Sequence, residues 1–163
     1  MKNLFPLSLV VAFLVLGACT QKVDIEAEKA KVKMVFEQLV QVSETKDNEL
    51  LTKIYAHDPD MVNIGADSAE YVVGWEAMRD AMQKQSASFE NMKISARNQV
   101  IKVHDSGKVA WVSIIWDVSL VAGGQPVSLK GVRFTGVLEN RNGNWVIVQT
   151  HTSVPVSGQA AKY

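Results

Sequence analysis

The stretch that most limits what this chain can become runs from Lys108 to Pro155. It reads as three consecutive strands: Val109 to Val121, about Val127 to Glu139, and Trp145 to Val154. Gly123-Gly124 and Asn142-Gly143 separate them, and both dipeptides favour the tight turns that join antiparallel neighbours. Three such strands expose an apolar face that must be covered. The only cover the chain offers is the helical segment upstream.

That segment begins with Ile25 to about Thr45. Ala27, Ala30, Met34, Val35, Leu39 and Val42 recur there at three- and four-residue spacing, with Glu and Lys between them, the pattern of one long amphipathic helix. Asp47 is placed to cap a shorter helix, Asn48 to Tyr55, which Pro59 prevents from continuing. Met61 to Ile64 and Tyr71 to Val73 read as short strands ending at Gly65 and Gly74, and Trp75 to about Ala87 as a third helix. A long strand, about Lys93 to His104, leads through Asp105-Ser106-Gly107 into the meander. No repeat or linker interrupts this order, so one domain is expected over residues 25–155, followed by a frayed tail at 156–163. The expected architecture is α+β: a strongly curved, mainly antiparallel sheet wrapped as a cone-shaped barrel around the long helix, with two shorter helices.

The first residues follow another logic. A positive start, Met1-Lys2-Asn3, precedes an apolar run, Leu4 to Leu16, too short to span a bilayer comfortably. Leu16-Gly17-Ala18-Cys19 resembles a bacterial lipobox, and the chain's single cysteine falls where that motif needs it. The resemblance implies removal of residues 1–18, lipid on Cys19, a tether over 19–24 and a place in the cell envelope. The Thr20 that follows Cys19 resembles the outer-membrane sorting signal of Gram-negative bacteria. Cleavage would remove Lys2 and leave one acid in excess of the bases. Overall, 17 basic residues balance 17 acidic ones. No basic patch stands out, so nucleic acid is not the expected partner. One cysteine allows no internal disulfide, and three scattered histidines without an i, i+4 pair offer no metal site.

The element order and three stretches carry a family resemblance. They are Ile54-Tyr-Ala-His-Asp-Pro-Asp-Met-Val-Asn-Ile-Gly65, Val73-Gly-Trp-Glu-Ala-Met-Arg79 and Gly143-Asn-Trp-Val-Ile-Val-Gln-Thr-His-Thr-Ser-Val-Pro155. Together they resemble a SnoaL-like domain of the nuclear transport factor 2-like superfamily. The resemblance implies an apolar pocket inside a cone and a homodimer formed through the outer sheet face. It names no reaction, because the superfamily holds isomerases, cyclases, dehydratases, epoxide hydrolases and binding or assembly domains.

Side-chain direction depends on register, since a shift of one residue reverses a strand's faces. With a two-residue turn at Gly123-Gly124, Ile114 faces Arg133, so Val112, Ile114, Trp116 and Val118 share a face with Arg133 and Thr135. Trp111, Ser113, Ile115 and Asp117 take the other. At the second hairpin, a two-residue turn pairs Phe134 with His151, whereas a three-residue Arg141–Gly143 loop pairs Arg133 with His151. The longer loop is the expected one. It gathers Arg133, Thr135, Gln149 and His151 beside Trp116.

His151 then leads the candidates, because imidazole serves as base, acid or donor near neutral pH. Arg133 could meet a ligand carboxylate or enolate. Asn63 falls where isomerase relatives place a general-base Asp, and an amide cannot take up a proton there. Tyr55, Trp75 and Trp116 suit a pocket lining. Trp111 suits a dimer interface. His57 reads as a turn residue and His104 as an exposed hairpin end. Asp117 would be a base only if the register slipped. The resulting expectation is an envelope lipoprotein that binds a small, largely apolar or polycyclic molecule in the cone without a cofactor. The alternatives are an isomerase, cyclase or dehydratase using His151, and a homodimeric assembly module.

Overall fold

The computed structural model describes residues 22–159 and 161. The proposed signal peptide and Cys19 lie outside the described residues.

Helix α1 covers Ile25–Thr45. The Asp24 carboxylate accepts from the Ala27 N–H at its start, and Lys46, in the left-handed region, closes its end by donating to the Val42 carbonyl. Val32, Val35, Phe36, Leu39 and Val42 form its buried stripe. Helix α2, Asn48–Ile54, is capped by Asp47 through the Leu50 N–H. Two short strands follow, β1 (Val62–Ile64) and β2 (Tyr71–Val73), then α3 (Trp75–Ala87). Long strands complete the chain: β3 (Phe89–Val103), β4 (Val109–Ala122), β5 (Gln125–Arg141) and β6 (Asn144–Ser153). β3 starts four residues earlier than the sequence pattern suggests. It absorbs the excess with one extra residue at each of two bulges, where Asn91 and Asn98 adopt positive φ.

The strand order is β2-β1-β6-β5-β4-β3. All neighbours are antiparallel except β1 and β6, which run parallel. The curved sheet is mixed and open, with β2 and β3 as its two edges, and not a closed barrel. Parallel pairing begins before β1. Tyr55 bridges to Ile147, and the Ala56 N–H donates to the Ile147 carbonyl. The chain leaving α2 is therefore laid along β6, which carries Asn63 to a position beside Thr150.

The core lies between α1, α3 and the concave face. Phe134 sits at its centre, stacked on Trp116 at 4.3 Å and meeting Phe36 edge-on at 5.7 Å. Glu28 ties α1 to β6. Its carboxylate accepts from Trp145 Nε1 at 2.7 Å and from Lys31 at the same distance, and the lysine hydrogen bond holds it below the ordinary carboxylate range.

Both hairpins turn on two residues. Ala122 pairs with Gln125 as expected, and Arg141 pairs with Asn144 across Asn142-Gly143, both at positive φ. The three-residue loop expected at the second hairpin is therefore corrected. Each ladder also carries a bulge. In β5, Lys130 and Gly131 together oppose Asp117, so Ile115 and not Ile114 meets Arg133. Gly131 has φ +70°, and its N–H donates to the Asp117 carboxylate at 2.9 Å. In β6, Val148 is the extra residue, and beyond it Thr135 pairs with His151.

Candidate functional site

These bulges decide which side chains meet. One register row on the concave face runs Ile101, Val112, Gly136, Thr150, Asn63, Val72. The adjacent row on the convex face runs Val100, Ser113, Thr135, His151, Ile64, Tyr71. Arg133, Thr135, Gln149 and His151 do share a face, as expected, but it is the outer one, and all four are exposed. Three physical details carry this correction: a shorter hairpin loop, one extra residue in β5 and one in β6. Arg133 donates to the Val154 carbonyl at 3.4 Å. Glu139 pairs with Arg141. His151 as an acid–base group inside the cone is thereby ruled out by its direction.

The other expected residues do face inward. Tyr55, Trp75 and Trp116 are buried in the core cluster, and Asn63 is half-buried. Thr150, which the sequence pattern did not single out, joins them at 2% exposure and is the buried polar side chain of the described core. Its hydroxyl donates to Asn63 Oδ1 and also meets the Tyr55 phenol. Burial pushes the Tyr55 phenol well above its usual range, with Thr150 pulling it back, so it is protonated at neutral pH. Asn63 has its carbonyl end fixed while its amide N–H groups remain available. Tyr55 also approaches Trp75, with ring centroids 6.5 Å apart.

Trp116 is different. Its Nε1 is buried with no hydrogen-bond partner, in an interior that is otherwise mainly apolar. A buried donor left unpaired costs about 1–3 kcal/mol. No charged side chain is buried among the described residues. The cone interior therefore presents neutral hydrogen-bonding groups and aromatic rings. Among the described residues no carboxylate or imidazole is buried there.

Two concavities adjoin this core. A small hollow of about 70 Å³ opens between the end of α1 and the start of β3 and reaches Leu51, Met82, Phe89 and Met92. A larger open groove lies outside the cone, between α1, α2 and the β5–β6 hairpin. At its rim the Arg141 guanidinium grips Asp58 through both of its terminal nitrogens and also reaches Glu139. The hydrogen bonds from Arg141 hold the Asp58 carboxyl below the ordinary range.

The remaining candidates are accounted for nearby. His57 stacks on Trp75 at 4.4 Å and donates from Nε2 to the Thr52 carbonyl. His104 sits exposed at the β3–β4 turn against Ser106. Asp117 points outward. The Gly131 N–H, with Lys130 and Arg97 beyond it, keeps its pKa low. Among the described residues, no three His, Cys, Asp or Glu side chains converge as a metal site requires.

Comparison with known proteins agrees with this geometry. The SnoaL-like domain family matches residues 32–157. No functionally curated protein matches the chain. A nuclear transport factor 2-like superfamily protein from Salmonella enterica superposes with a TM-score of 0.75 at 19% identity, covering 85% of this chain and 99% of that one. A protein of the same fold from Pseudomonas putida, of unknown function, gives 0.66 at 19% identity over 84% and 93% of the two chains. A protein from Novosphingobium aromaticivorans, named as a candidate scytalone dehydratase, gives 0.70 at 12% identity over 80% and 86%. The order of elements, the mixed sheet around α1 and the match across most of its length make this chain a member of the SnoaL-like domain family, on a nuclear transport factor 2-like fold.

Proposed function

We propose that this domain binds a small, neutral, largely apolar molecule inside the cone, with a single hydrogen-bond acceptor such as a ketone. The observation that carries this reading is the orphaned indole N–H of Trp116 in an uncharged interior. A ligand carbonyl would satisfy that donor, whereas a carboxylate would find no cation there. The hollow between α1 and β3 is the entrance. Met82 and Met92 border it, and Met78 lies buried in the core behind. Methionine side chains are flexible enough to yield to an incoming ring system. The lipobox-like segment ending at Cys19 supports an anchor in the cell envelope, with the domain in the periplasm if the cell is Gram-negative. The reading is tested with 2-acetylnaphthalene and its hydrocarbon counterpart, 2-ethylnaphthalene, followed by tryptophan fluorescence. The ketone should bind more tightly. Trp116→Phe should weaken it by roughly three- to tenfold, the worth of one hydrogen bond, and leave the hydrocarbon unchanged. Equal binding of the two probes, or no effect of Trp116→Phe, would sink the idea.

A second reading concerns assembly. Trp111 (47% exposed) and Val100 (64%) lie on adjacent strands, β4 and β3, of the convex face, and Tyr71 (64%) and Val73 (47%) are exposed at the opposite, β2 edge of the sheet. These residues support a homodimer through that face. Sedimentation should find a dimer that Trp111→Glu dissociates. A monomer in the unsubstituted chain contradicts it.

A further inference from the structure

The groove outside the cone has a chemistry of its own, distinct from the interior. Its floor is apolar: Met34 and Val35 from α1, Leu50 and Ile54 from α2, and Trp145 from β6. Met34 is 53% exposed on a helix whose other outward positions are mainly charged or polar. Along α1, Lys31, Met34, Val35 and Gln38 follow one another at i, i+3, i+4 and i+7, so a single stripe runs the length of the groove from cation to amide. Lys53 and His57 face this stripe from α2 and the segment after it.

Three cations line the groove, Lys31, Lys53 and Arg141, while the carboxylates of Glu28, Asp58 and Glu139 stand just behind the first and third. Two of these cations are already engaged, Lys31 by Glu28 and Arg141 by Asp58 and Glu139. Lys53 has no ion-pair partner among the described residues. An apolar trough with one uncommitted ammonium at its side is complementary to a molecule with an apolar chain and one anionic head. The groove is shallow and broadly open to solvent, and its volume of about 890 Å³ gives room for such a chain to lie along it.

We infer that this groove is a site for a single-chain amphipathic carboxylate, of the fatty-acid type. The chain lies on Met34, Leu50 and Trp145, and the head meets the Lys53 ammonium. The groove shares Tyr55 with the interior but does not reach Trp116, so a substitution at Trp116 separates this site from ligand binding inside the cone.

The test is a titration of the ¹⁵N-labelled full chain with decanoate below its micelle concentration, beside decylammonium and decanol at matched concentrations. Decanoate should shift the amides of residues 31–38, 50–57 and 143–146 and saturate. Decanol should bind more weakly and decylammonium weakest. Lys53→Glu replaces attraction by repulsion at an exposed position and should weaken decanoate about tenfold without affecting decanol. Met34→Glu, also at an exposed position, should weaken both decanoate and decanol, and Trp116→Phe neither. Retention of the native amide spectrum shows that each variant is folded. Decylammonium binding as tightly as decanoate, unchanged affinity in Lys53→Glu, or shifts confined to the cone interior would each overturn the assignment.

Discussion

The two faces of one sheet, built by the same strands, are opposite in character. On the concave side Val112, Ile114 and Trp116 alternate along β4 and are met by Gly136, Phe134 and Val132 from β5, all buried. One residue along, Trp111, Ser113 and Ile115 meet Val137, Thr135 and Arg133, and four of these six are exposed. Strand alternation alone produces the split. The difference shows where chemistry can reside. The titratable side chains of the long strands, among them His151, Arg133, Asp117, Arg97 and Lys102, point outward, while the interior keeps only neutral donors and acceptors.

The most severe way to break this contrast is at Phe134. Its ring touches Trp116 on one side and Phe36 on the other, so Phe134→Ala removes the central contact of the core and leaves a cavity between sheet and α1. A loss of about 3–5 kcal/mol in urea-unfolding free energy is expected. For a domain of this size that is a large fraction of the total stability. A loss below about 1 kcal/mol would mean that the concave face is not the packed one.

Much of the fold was legible in the chain because its signals are local. Asp24 and Asp47 mark helix starts, the apolar spacing of α1 marks its buried stripe, and Gly123-Gly124 and Asn142-Gly143 mark hairpins. The inward set on β4 followed from alternation alone. The site was less legible because register is set by bulges, and a bulge is a contact between strands. Gly131 in the middle of β5 was a readable sign of one, since an isolated glycine within a strand often marks a bulge. Its cause is the Asp117 carboxylate reaching the Gly131 N–H from β4, which only the folded pair reveals. Val148 offered no sign at all. It sits within Trp145-Val-Ile-Val, apolar in either phase, and the Gln149-Thr-His-Thr152 that follows is polar in either phase. Hydrophobic pattern cannot fix a register where both faces read alike. Adjacent residues on a strand cannot both face the core, and nothing in this stretch of sequence tells Thr150 from His151 as the inward one.

The mildest substitution bears most directly on that last choice. His151 lies on the convex face, exposed, between Thr135 of β5 and Ile64 of β1. It makes none of the hydrogen bonds that tie Tyr55, Thr150 and Asn63 together, and its loss creates no cavity. His151→Ala should therefore change stability by no more than about 0.5 kcal/mol, as exposed substitutions usually do. Binding of 2-acetylnaphthalene, read from tryptophan fluorescence, should remain as in the unsubstituted chain, because no atom of His151 reaches the interior. Loss of ketone binding in a folded His151→Ala protein would require the imidazole to face inward. Thr150 would then have to face solvent, and the bulge at Val148 would have to be absent. The imidazole is thus the most sensitive marker of which face is which, since a single extra residue in β6 decides whether it is chemistry or surface.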